Sequence, residues 1–273
     1  MLDLQTKVEA AVSAATDHER LELFRQVATA LDNGLVRVAE PMKSGWKVNA
    51  WVKQAILWGF KYGVLEQVAS NAGFNFFDKN TLPLKQLNLT NKVRVAPGGS
   101  AIRHGAYVAP GAIIMPPSYI NIGAYIGENT LVDSHVLVGS GAQIGCGVHL
   151  AAGVQIGGVL EPVGSLPVIV EDDAFIGGSC GIYEGVVIKK GAVIASGVIL
   201  NHAIQVYDLP NNSFIKAASG YPLTIPANAV VVPGSRPLTS SPAPNIQISC
   251  PVIVKYRDAK TDRSLELESA LRT

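Results

Sequence analysis

From Ile102 onward, an aliphatic residue returns at every sixth position: Val108, Ile114, Ile120, Ile126, Val132, Val138, Ile144, Leu150 and Ile156. The frame resumes two residues late at Val170 and continues through Ile176, Ile182, Ile188, Ile194 and Leu200. With aliphatics at roughly three residues in ten, such a run has chance odds on the order of one in a hundred million. A six-residue period predicts a mostly β protein, a left-handed parallel β-helix in which each repeat is one short strand and one corner. Three strands make one triangular coil, so each face returns after eighteen residues. Four positions after each aliphatic stands a small or branched residue, such as Ala106, Ala112, Ser118 or Thr130, often preceded by Gly105, Gly111 or Gly123. Glycine suits a corner that needs positive φ. Strand side chains alternate, so the neighbours of each inward aliphatic point outward. That parity locates candidate chemistry.

The pattern divides the chain into an N-terminal helical domain at 1–91, the β-helix at 92–206 and a small β/α cap at 207–273. Leu4, Val8, Ala11 and Val12 suggest a first helix. Thr16 and Glu19 form a capping-box signature before the apolar face of Leu21, Phe24, Val27 and Leu31, and Gly34 stops that helix. A third helix is predicted after Asn49, carrying Trp51, Val52, Ile56 and Trp58. Residues 71–81 read as a loop or short strand. The segment Gly157–Pro167, with three glycines, two prolines and the frame shift, predicts a loop that leaves the coil. Beyond Tyr207 the period fades. Strands are expected at 230–232 and 246–256, and a short helix at 264–272.

Composition narrows the classes. The net charge is +1 in 273 residues, with no basic run to support nucleic-acid binding. No apolar stretch reaches membrane-spanning length and no signal pattern opens the chain, so a cytoplasmic location is expected. Cys146, Cys180 and Cys250 lack metal-ligand spacing, and Cys180 occupies a small corner slot that predicts a packed thiol. The five histidines, His18, His104, His135, His149 and His202, lack the spacing of the three-histidine zinc site of a γ-type carbonic anhydrase. No metal is therefore expected. A structural or ice-binding prism predicts a ladder of outward threonines, whereas the outward positions here are mixed.

Asp133 follows the inward Val132, so its carboxylate leaves the prism; a solvated surface carboxylate is the competing account. His149 projects from the same face, and His135 falls in the turn beyond Asp133.

These residues lie within longer motifs: Asn75-Phe76-Phe77-Asp78-Lys79, Val93-Arg94-Val95-Ala96-Pro97, Asn121-Ile122-Gly123-Ala124-Tyr125, Leu131-Val132-Asp133, Gly157-Gly158-Val159-Leu160-Glu161-Pro162, Pro251-Val252-Ile253-Val254-Lys255 and Asp258-Ala259-Lys260-Thr261. Over nearly its whole length the chain resembles the tetrahydrodipicolinate N-succinyltransferases, succinyl-CoA-dependent enzymes of bacterial lysine and diaminopimelate synthesis. The resemblance implies a homotrimer with active sites between neighbouring prisms and a CoA arm along a groove near the later coils. The implied acceptor is a cyclic imine dicarboxylate or its ring-opened form, 2-amino-6-oxopimelate. It further implies that Arg94 and Asp133 bind substrate, Arg94 through a bidentate grip on a carboxylate and Asp133 by orienting the attacking amine and taking its proton. Lys190 and Lys255, as late-chain cations, and Ser196, in a late corner, are candidate contacts for the acyl-CoA co-substrate.

Two positions depart from the family pattern. Gly181 stands where the resemblance leads one to expect a glutamate, with Glu184 three residues on as a catalytic candidate. His135, a second such candidate, stands where a tryptophan is expected. These departures leave open an alternative, a paralogous acyltransferase using acetyl-CoA on a related amino dicarboxylate, as in a tabtoxin-like pathway.

Overall fold

The computed structural model describes residues 2–68, 75–238 and 245–257. The expected helix at 264–272 and the motif at 258–261 lie outside the described residues.

Helices α1 (Leu2–Ala14), α2 (Asp17–Asp32) and α3 (Ala50–Tyr62) form the N-terminal domain. The capping box is present: the Thr16 hydroxyl accepts from the Glu19 N–H, and the Glu19 carboxylate accepts from the Thr16 N–H at 2.7 Å. Gly34 ends α2 at φ +69, and a Cβ there would meet the Tyr107 ring at 2.8 Å. The domain thus rests directly on the prism. Phe24, Val27, Leu31, Val52, Ile56 and Trp58 form its core, which also takes in Ile122 from a prism corner. The stretch expected as a loop or short strand contributes Phe76–Lys79, which pairs antiparallel with Leu65–Val68 as a hairpin. Residues 69–74 lie outside the described residues.

The six-residue frame folds as predicted. Two-residue strands stack in parallel into three flat faces. The inward column from Ile114 to Leu200 is fully buried or nearly so, and the small corner residues are buried with it. Each such aliphatic contributes roughly 1.5–3 kcal/mol of burial. Corner hydroxyls satisfy the adjoining coil: Ser118 donates to the Asp133 carbonyl at 2.7 Å, and Thr130 to the Gly145 carbonyl at 2.7 Å. Cys180 is a packed corner thiol that donates to the Ala195 carbonyl at 3.0 Å, and burial pushes its pKa up.

The three faces differ in what covers them. The first carries Tyr107–Val108, Tyr125–Ile126, Gln143–Ile144, Ile169–Val170, Val187–Ile188 and Thr224–Ile225, and the N-terminal domain lies on it. There the Arg37 guanidinium sits 3.7 Å from the centre of the Tyr125 ring and donates to Gln143 at 2.9 Å. The second, the groove face, carries Ala101–Ile102, Tyr119–Ile120, Leu137–Val138, Gln155–Ile156, Gly181–Ile182 and Ile199–Leu200. The third, the open face, runs from Arg94–Val95 through Ile113–Ile114, Leu131–Val132, His149–Leu150, Phe175–Ile176 and Val193–Ile194 to Ala229–Val232.

The parallel ladder extends past the boundary expected at 206. After an excursion through residues 201–222, Thr224–Ile225 pairs with Val187–Ile188 and Val230 with Val193. The excursion hides this return from a fixed-period reading. Val252–Tyr256 then pairs antiparallel with Ala229–Val232, and the Val206–Asp208 and Ser213–Ile215 pair continues the sheet beyond it, so these strands cap the end of the coil. Covering terminal strand groups in this way removes an unpaired edge.

Candidate active site: an open face and a glycine-floored groove

Arg94 and Asp133 emerge from the same face. Arg94 is in register with Ile113, and Ile113 with Leu131. Asp133 lies two residues beyond Leu131, hence on the same outward side. With strands about 4.8 Å apart and about 3.3 Å per residue, their backbones are about 12 Å apart. Arg94 is exposed and has no ion pair to any described residue. Asp133 is half-buried, and its Oδ1 accepts from the Ser134 N–H at 2.7 Å. This bond orients the carboxylate and leaves Oδ2 available to a ligand.

The surroundings of this pair are apolar. The outward row holds Ile113, Leu131, His149, Phe175 and Val193, all half-buried except His149, which is buried. The His149 ring meets Phe175 edge-on, with centroids 4.9 Å apart. Next to that row run the small residues Ala151, Gly177 and Ala195. A flat apolar strip flanked by small residues is a surface suited to close packing.

A cavity of about 1080 Å³ lies on the groove face. Its floor includes Gly139, Gly157 and Gly158, and its walls come from the extruded loop, through Leu160 and Ser165, and from the excursion, through Tyr221. The loop at 157–167 leaves the coil as predicted and is pinned to the N-terminal domain. Leu160 packs on that domain's core, and Lys53 donates to the Ser165 carbonyl at 2.5 Å. Lys53 is fully buried, and desolvation lowers its pKa to about 8.

The remaining candidates are spread over several corners. His135 is exposed at φ +62, at the turn from the open face to the groove face. Glu184 occupies another corner at φ +53 and lines the groove. Its carboxylate accepts from the His202 N–H at 3.0 Å, which compensates a conformation that costs a non-glycine residue about 1–2 kcal/mol. Lys190 stands at the turn onto the open face, paired with Asp173 at 3.4 Å. Ser196 is exposed at the next corner of the same coil, and Lys255 lies in the closing strand. The structure brings none of Lys190, Ser196 and Lys255 into the groove.

Sequence parity missed Tyr183 and Lys53. Tyr183 follows the inward Ile182 and lies across the groove floor. A Cβ at Gly181 would come within 2.5 Å of its Cε2, and one at Gly157 within 2.9 Å of its Cδ1. The ring therefore occupies the space into which a side chain at 181 would project, which is the physical reason for glycine there. One signal was available in the sequence: Gly139 and Gly157 occupy outward strand positions, not corners, as expected where something lies close to the backbone.

A stacked triangular prism with an open polar pair and a deep lateral groove belongs to the hexapeptide-repeat class of acyltransferases. Residues 167–202 match the hexapeptide repeat of succinyl-transferase, and residues 3–62 match the tetrahydrodipicolinate N-succinyltransferase N-terminal family. A protein of Coxiella burnetii named 2,3,4,5-tetrahydropyridine-2,6-dicarboxylate N-succinyltransferase is 42% identical over 284 residues, covering 100% of this chain and 99% of its own. A protein of the same name from Gluconobacter oxydans is 40% identical, covering 98% of each. The chain belongs to the tetrahydrodipicolinate N-succinyltransferase family. A solved structure from Campylobacter jejuni, named a candidate 2,3,4,5-tetrahydropyridine-2-carboxylate N-succinyltransferase, shares the fold with a TM-score of 0.55 at 17% identity, over 85% of this chain and 62% of that one.

Proposed function

We propose that the protein transfers the succinyl group of succinyl-CoA to the amine of tetrahydrodipicolinate, reacting as 2-amino-6-oxopimelate, in lysine and diaminopimelate synthesis. The observation that carries this reading is the end-to-end similarity to relatives bearing that activity's name. The disposition of the open face supports it. Arg94 grips one carboxylate of the acceptor with a bidentate fork, and Asp133 holds the amine. The amine attacks the thioester carbonyl, forming the C–N bond. Collapse of the tetrahedral adduct breaks the C–S bond, and the proton shed by nitrogen passes through Asp133 toward the departing CoA thiolate. Backbone N–H groups stabilise the oxyanion.

The apolar strip beside Asp133 supports a homotrimer, in which the open face of one copy lies against the groove face of the next. The groove takes the slender acyl-CoA arm, and acceptor and donor meet between subunits. The test is an assay of free thiol with purified protein, tetrahydrodipicolinate and either succinyl-CoA or acetyl-CoA. Turnover with succinyl-CoA is expected; a clear preference for acetyl-CoA would overturn the assigned donor.

A further inference from the structure

We infer that Tyr183 is a donor-positioning residue of the groove, its hydroxyl hydrogen-bonding a carbonyl oxygen of the bound acyl-CoA; the inference rests on the acyl transfer proposed above. Three observations converge. The ring lies flat on the groove floor, over Gly157 and Gly181, because neither has a Cβ. Its hydroxyl lies 2.8 Å from where a Gly181 Cβ would stand, which carries it across the strand from the row of Tyr183 to the row of Gly181. Tyr183 is half-buried, lines the cavity, and its hydroxyl makes no hydrogen bond to any described residue.

The cavity's charge selects the ligand chemistry. Its ionisable lining is Glu161, Glu184 and His202, with no lysine or arginine. Two carboxylates disfavour an anionic group at the floor, whereas a neutral hydroxyl beside a glycine strip suits a neutral acceptor. The thioester and the amides of the CoA arm carry such carbonyls, and the ring that covers the glycines offers its hydroxyl to them at the floor.

The experiment compares Tyr183→Phe with wild type, varying succinyl-CoA at saturating acceptor and then the reverse. The phenylalanine keeps the ring, so the melting temperature is expected to hold. Loss of one neutral hydrogen bond should lower kcat/KM for the donor about three- to ten-fold and leave the acceptor KM unchanged. A fall in kcat assigns the bond to the thioester carbonyl as it becomes an oxyanion; a rise in donor KM at constant kcat assigns it to an amide. An unchanged donor kcat/KM, or an effect confined to the acceptor, would overturn the inference while leaving the proposed reaction standing. A second series checks the geometry. Gly181→Ala should impair donor kcat/KM with Tyr183 present, because its methyl displaces the ring, and should have no further effect in a Tyr183→Ala background. Additive losses would overturn the ring's placement. A wild-type protein that turns over neither succinyl-CoA nor acetyl-CoA would overturn the reaction itself, and this contact with it.

Discussion

At the residue scale, the groups proposed to touch substrate differ from those that shape the cavity. Asp133 is oriented by the Ser134 N–H through one carboxylate oxygen, and the proposed reaction assigns the other to the amine. Asp133→Asn preserves that backbone bond but cannot take a proton, so kcat should fall about 10²- to 10⁴-fold with the assembly intact. Near-normal turnover in the variant would remove Asp133 from the chemistry. Arg94 has no ion pair to any described residue, so Arg94→Ala sacrifices little structure. The acceptor KM should rise about 10- to 100-fold, the loss expected for a charge-assisted bidentate bond, with the donor KM held. An equal change in both constants would mark Arg94 as structural. Parity along the strand sufficed to identify Asp133 as outward, whereas Arg94, which lies off the six-residue frame, was indicated only by the family resemblance. It could not identify Tyr183, whose orientation depends on the missing side chains of Gly157 and Gly181, one coil apart. It also gave no warning that Gln143 and His149, outward by register, would be buried. Gln143 is covered by Arg37 from the helical domain and His149 by the neighbouring Phe175 ring, tertiary contacts about which alternation along a strand says nothing.

At the scale of elements, two ionic devices join the helical domain to the rest. The Asp32 carboxylate, at the end of α2, meets Lys85 at 2.8 Å, His104 at 3.3 Å and the Gly105 N–H at 2.9 Å. Burial opposes ionisation there, but these partners prevail and hold the pKa at about 2. The folded value is depressed from 3.8, so the stabilisation is complete above about pH 4 and is lost as pH falls through 2. The shift corresponds to roughly 2 kcal/mol. Asp32→Asn should lower stability by that order at pH 7, and the gap to wild type should close on acidification in denaturant titrations. A pH-independent gap would contradict the linkage. Lys53, on α3, works in the opposite sense. Burial lowers its pKa from 10.5 to about 8, so it opposes folding most strongly below pH 8, and that cost is released as pH rises toward 10.5. The gross cost is roughly 3 kcal/mol, and the bond to the Ser165 carbonyl offsets part of it. Relative to Lys53→Met, wild type should therefore gain stability between pH 8 and 10.5. Hydrogen exchange in the 157–167 loop should be faster in the variant, because its anchor is gone; unchanged exchange would show that Leu160 alone holds the loop. The loop was legible in the sequence from its glycines, prolines and frame shift. Its anchor was not, because a lysine in an amphipathic helix reads as a solvated group.

At the scale of the whole molecule, each prism face has a distinct use. One carries the helical domain, one forms the groove, and one presents Arg94 and Asp133 beside an uncovered apolar strip. The fold was readable almost entirely from the hexad frame, because a single inward column dictates strand, corner and stacking together. The return of the coil at Thr224 was not, because the excursion before it obeys no period. In the proposed assembly the groove of one copy and the Asp133 face of the next make one site, and subunit complementation is the decisive experiment. Asp133→Asn and the groove-filling Leu137→Trp, each inactive alone, are co-expressed with different tags, and trimers bearing both are purified in tandem. A closed ring of two kinds of subunit contains one junction with both halves intact, so about one third of wild-type activity should return. Mixed trimers as silent as their parents would contradict a site shared between subunits.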